Sequence, residues 1–171
     1  AQQWAVERLN GYGDGAPTET WGPFGRGWRC DHVSMAVVGD NPWPVIACAK
    51  AWSPGIEGRV EADVVHVAPL AAAELEALDL AGKIVLLDDV RSIEEPLPAA
   101  ERASAALAAN DFRQGFQRRR QMLQMVLQKR PLAIVDRGSK GDYGTVFVAG
   151  ATAADGQRAR DVGVEVVPQF T

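Results

Sequence analysis

Short apolar runs, each closed by charged or turn-forming residues, set the pattern of this chain. Ile84-Val85-Leu86-Leu87 lies unbroken between Gly82-Lys83 and Asp88-Asp89, as a strand buried on both faces would. Residues 131–138, 145–150 and 164–170 carry similar runs and predict three more strands. In residues 58–67, Val60, Ala62 and Val64 recur at period two, which predicts a strand with those three side chains on its apolar face. Helical patterns fall between the strands. Residues 71–78 favour a short helix by propensity, and residues 99–109 are alanine-rich. Asn110 or Asp111 is placed to cap a further helix that ends at Pro131, with Phe112, Phe116, Leu123 and Leu127 near one face.

The first fifty residues read differently. Gln2–Asn10 is a short helix with Trp4, Val6 and Leu9 towards one side, ended by Gly11 and Gly13. Residues 22–28, GPFGRGW, form a glycine-rich turn with aromatic anchors. Residues 33–38 and 44–49, separated by Gly39-Asp40-Asn41-Pro42, predict a hairpin. All five tryptophans (Trp4, Trp21, Trp28, Trp43 and Trp52) lie within the first 52 residues, which marks this part as a separate segment. Strands alternating with helices after it make the chain mixed α/β.

With 47% apolar and 23% charged residues, a chain of 171 residues can bury an ordinary core. The net charge of −4 argues against a nucleic-acid partner. No apolar run is long enough for a membrane-spanning helix, and no basic stretch followed by an apolar one marks a signal peptide. Cys30 and Cys48 lack the CxxC spacing and neighbouring histidines of a zinc site. If the hairpin forms, they are candidates for a disulfide across it, and two buried free thiols are the alternative.

No catalytic constellation emerges. His32 and His66 are the two histidines, outside any HExxH pattern, and no GxSxG elbow surrounds a serine. Ser53, before Pro54, reads as a turn residue. Asp88 and Asp89 point to opposite faces of a strand and read as its solvated end. Glu94-Glu95 is a second acidic pair. Residues 138–144 lack phosphate-loop spacing and read as a hairpin loop. Arg118, Arg119 and Arg120 fan around a helix at about 100° each, so they form no single stripe. They read as a solvated face or as a candidate contact surface for an acidic protein or peptide.

Residues 51–67, AWSPGIEGRVEADVVHV, followed by residues 79–89, DLAGKIVLLDD, resemble a protease-associated domain. In that family a Pro-Gly turn leads into a strand, a helix and a Gly-Lys-Ile-Val-Leu strand. The matching positions are Trp52, Pro54, Gly55, Gly58, Gly82 and Lys83, and Pro168 matches the family's closing valine-proline. At residues 130–132 the chain departs from the family's glycine-alanine. WAVERLNGYG and FGRGW are similar to the region of secreted di-zinc aminopeptidases that precedes this domain. The resemblance implies a swivelling β/β/α sandwich with flanking helices over residues 51–171. Residues 1–50 would be a flanking segment of the parent peptidase, with an N-terminal helix and hairpin. It implies no catalytic or metal-ligating residue in this chain, zinc held by a peptidase domain outside it, and a secreted or periplasmic location. The implied role is contact with a peptide or protein substrate and with the peptidase domain. The alternative is a stand-alone carbohydrate- or protein-binding module.

Overall fold

The computed structural model describes the chain except residues 1, 14, 16, 20–21, 90–104 and 139–144, with no side chains for residues 2 and 105–112. The expected loop at 92–98, the start of the alanine-rich helix, Glu94-Glu95, Trp21 and the loop at 139–144 lie outside the described residues.

Four strands, β3 (Val64–His66), β4 (Ile84–Leu86), β5 (Ala133–Val135) and β6 (Gln169–Phe170), form a parallel sheet in sequence order. Val65, Val85, Ile134 and Gln169 are direct register partners from strand to strand across it. Helix α2 (Ala72–Ala77) connects β3 to β4, and α3 (Ala105–Gln128) connects β4 to β5. The two helices pack on each other and share one core with the sheet: Val67, Leu75, Leu80, Val85, Leu87, Leu123, Val126, Leu127 and Ile134. On α3, Leu123, Val126 and Leu127 follow the i, i+3, i+4 spacing of a buried helical face.

Local chemistry closes the helices. The Glu74 carboxylate accepts the Ala71 N–H at 2.7 Å, satisfying a free donor at the start of α2. At its other end Lys129 Nζ donates to the Glu76 and Leu78 carbonyls, at 2.8 and 2.7 Å. Arg130 stops α3 in the left-handed region, φ 49°, before Pro131.

Several expected boundaries move. Helix α3 is continuous through Asn110-Asp111, because either residue costs a helix interior under about 1 kcal/mol whereas a break forfeits backbone bonds. Its 24 residues span about 36 Å, far longer than three-residue strands. Phe116 is therefore 60% exposed although it shares a face with Leu123. The alternation in residues 58–67 has the opposite phase: Val64 is exposed, while Val67 is buried and Val65 packs on the core. Residues 145–150 form no strand, only a bridge from Gly150 to Ala51, and the last strand is limited to Gln169–Phe170.

In the N-terminal segment, α1 (Gln2–Gly11) and a hairpin of β1 (Met35–Val37) with β2 (Trp43–Val45) form, the strands shorter than the expected 33–38 and 44–49. They leave Trp4, Tyr12, Val37, Val38, Trp43 and Ile46 exposed. The glycine-rich turn, by contrast, is docked. The Arg26 N–H donates to the Arg160 carbonyl at 2.7 Å and its guanidinium to the Ala159 carbonyl. Gly25 permits this approach, since a Cβ there would lie 2.2 Å from Arg160 O. Trp52 locks the same junction. Its indole N–H donates to the Arg26 carbonyl at 2.9 Å, the Arg26 guanidinium donates to the Trp52 carbonyl, and its ring packs over Gly150. Trp52→Ala is expected to lower unfolding stability by about 2 kcal/mol, by losing that packing and hydrogen bond. Chemical denaturation checks this, and an unchanged midpoint would contradict it.

Candidate functional site

In parallel sheets, side chains with chemistry gather beyond the carboxyl ends of the strands. Here His66 ends β3, Asp88 and Asp89 follow β4, Asp136 follows β5 and Thr171 follows β6. Lys50 reaches the same edge because its N–H donates to the Gln169 carbonyl at 2.9 Å, which holds residues 48–51 alongside β6. Arg119 arrives from α3.

These groups bond to one another. The Asp136 carboxylate, 3% exposed, accepts from Lys50 Nζ, from Arg119 Nη2 at 2.9 Å, from the Thr171 hydroxyl at 3.1 Å and from the Gly138 N–H at 3.0 Å. Asp88 takes a two-point contact from Arg119, Nε to Oδ1 at 2.7 Å and Nη2 to Oδ2 at 2.9 Å. Burial pushes the Asp136 carboxyl up. The Lys50 charge and hydrogen bond, the Gly138 N–H and Arg119 together outweigh it and hold the group below the ordinary carboxylate value. The hydrogen bond with Asp88 likewise raises the Arg119 guanidinium above its ordinary value.

Two cations and two carboxylates thus satisfy each other, and no buried side-chain polar atom among the described residues lacks a partner. Asp136 and Asp88 are thereby held as ion-pair acceptors, with the Thr171 hydroxyl donating to Asp136. The strand order adds to this. A ligand crevice in an open parallel sheet opens where the order of strands reverses, and the order β3-β4-β5-β6 does not reverse. Among the described residues, no three His, Cys, Asp or Glu side chains gather as a metal site. The arrangement is a clasp between the sheet, α3 and the segment at residue 50.

No family model, curated protein or solved structure matches the chain.

The structure disperses the candidate residues read from sequence. Asp88 is corrected: it is turned into Arg119, 10% exposed, and is no solvated strand end. Asp89 does diverge from it and faces His66 at 3.2 Å. Arg119 is corrected too, from solvated face to the centre of the clasp, while Arg118 and Arg120 remain exposed on either side. Cys30 and Cys48 are free thiols, Cys30 exposed and Cys48 half-buried. The hairpin register, continued past its end, would set residue 32 opposite Cys48. Lys83 pairs with Asp63 at 2.6 Å at the opposite end of the sheet, and its hydrogen bond and charge hold that exposed carboxyl below the ordinary value. Gly58 and Gly82 each take φ 69°, which glycine adopts without a Cβ penalty, and Pro54 and Gly55 are exposed in the turn. The Pro168 carbonyl accepts from the Ile134 N–H at 2.9 Å.

Ser53 is more than a turn residue. Its buried hydroxyl accepts the Gln169 N–H at 2.8 Å and its carbonyl the Trp28 indole N–H at 3.0 Å. Lys50, Asp136, Gln169 and Thr171 were not singled out from sequence. One signal for Asp136 was present: an acidic residue directly after an apolar strand run, as in LLDD and again in AIVD.

A carboxylate whose folded pKa is depressed contributes stability above its unfolded pKa and loses it as pH falls through the folded value. Asp136→Asn should therefore cost about 3 kcal/mol near neutral pH. The gap to wild type should stay level from about pH 6 to 8 and narrow below about pH 4. Urea titrations across that range check it; a gap that widens in acid would contradict it.

Proposed function

We propose that this chain is a non-catalytic domain of the protease-associated kind, an accessory part of a di-zinc exopeptidase. In this reading residues 51–171 adopt the swivelling β/β/α arrangement and residues 1–50 flank it. The domain makes protein or peptide contacts, or shapes how substrate reaches a peptidase domain that holds the zinc, in a secreted or periplasmic enzyme.

One observation carries the reading. Cys48 and Thr171 exchange both backbone hydrogen bonds, N–H to O at 2.7 and 2.9 Å. Residues 49–170 therefore leave and return at one point, the geometry that lets a compact unit sit within another fold. The self-satisfied clasp supports a non-catalytic role. The exposed aromatic and aliphatic side chains of residues 1–46 support a flanking segment whose natural neighbour is another domain. For a sugar platform, Trp28 and Trp52 are tied into the junction by indole N–H bonds to backbone carbonyls, which leaves Trp4 and Trp43 as the strongly exposed tryptophans among the described residues.

Incubation with aminoacyl p-nitroanilides, with and without added zinc, tests the assignment. The expected result is no turnover above the blank in either condition. Turnover that copurifies with the chain would overturn it.

A further inference from the structure

Beside the clasp, a cleft of about 220 Å³ lies between the middle of α3, residues 115–122, and the segments that follow β4 and β5. Its floor is apolar, with the buried Leu87 and the half-buried Met122. Gly115, Arg118 and Met122 are spaced i, i+3, i+7 along α3 and so share one stripe of the helix. Arg137 closes the far side, where Nη1 donates to the Asp89 carbonyl at 3.2 Å.

The charges in this cleft are unequally spent. Arg119 is neutralised by Asp88 and Asp136, while the exposed Asp89 carboxylate contacts His66 Nε2 at 3.2 Å. Among the described residues Arg118 forms no ion pair and Arg137 forms only its contact with a neutral carbonyl. The cleft therefore presents two guanidinium groups, with one exposed carboxylate at Asp89, above an apolar floor. Guanidinium forks match carboxylate geometry. Gly115 keeps the wall open: a Cβ there would meet nothing within 4 Å, although a glycine weakens a helix interior.

We infer that this cleft binds the carboxylate of a short peptide, held between Arg118 and Arg137, with an adjoining apolar side chain on Leu87 and Met122. The inference deepens the proposed role by naming a ligand class and a place. It rests on that role only for the choice of peptide over another carboxylate. Its test reads binding and not turnover, so either can fail without the other.

Isothermal titration of the full chain with N-acetyl-alanyl-leucine tests it. Saturable binding in the millimolar range or tighter is expected. The C-terminal amide of that peptide should bind at least about tenfold more weakly. The peptide amide N-acetyl-leucyl-glutamate amide separates the two sources of the carboxylate: binding only by the free acid assigns a chain terminus, and equal binding by both assigns either source. Arg118→Glu and Arg137→Glu should each weaken binding by at least about tenfold. Gly115→Leu fills the cleft and removes a helix glycine, so binding should be lost while the melting temperature stays level or rises. Absence of saturable binding, undiminished binding by Gly115→Leu, or inorganic phosphate binding as tightly as the peptide would overturn the inference.

Discussion

Among the described residues, the Asp136 carboxylate gathers four parts of the chain at one point. It sits at the end of β5, receives Lys50 from the N-terminal side, Arg119 from α3 and the Thr171 hydroxyl from the residue after β6. Arg119 extends the contact to Asp88 beyond β4. A buried carboxylate without such partners would cost several kcal/mol or take up a proton. The position of residue 50 beside β6, the tilt of α3 over the sheet and the closing of the carboxyl edge are therefore set together.

The same constraint bears on function. A charged cluster at the carboxyl edge of a parallel sheet invites a catalytic interpretation, yet here its members are consumed by each other. Under the proposed reading, a partner polypeptide would meet the surface around the clasp: the Arg118–Arg137 cleft on one side and the exposed N-terminal helix and hairpin. An isolated two-stranded hairpin is marginal in water, so the β1–β2 pair has most to gain from a neighbour.

Much of the fold was legible in the chain because its strands are short apolar runs with polar ends and its helices have a 3.6-residue rhythm. IVLL and AIV announced β4 and β5, and Leu123 and Leu127 announced the buried face of α3. Phase and length were harder. Residues 60–67 contain valines in both registers, and only the helices above the sheet decide that Val65 and Val67 turn inward. At residues 145–150 strand propensity was present without a neighbour to pair with beyond Ala51. The clasp was mostly hidden, because Lys50 and Asp136 are separated by 86 positions and a lone lysine in CAKAW carries no local signal. Arg119 was legible as one of three arginines; that it alone turns inward follows from the angular position of α3 on the sheet.

The central claim is that Lys50 and Asp136 act as a coupled, buried pair that holds the edge together. A double-mutant cycle with Lys50→Met and Asp136→Leu, followed by guanidinium denaturation at neutral pH, tests it most directly. Each single change should cost about 3–5 kcal/mol by stranding a buried charge, and the double change should cost well below their sum, with a coupling of at least about 2 kcal/mol. Costs that add to within about 0.5 kcal/mol would contradict the claim and reduce the pair to two independent side chains.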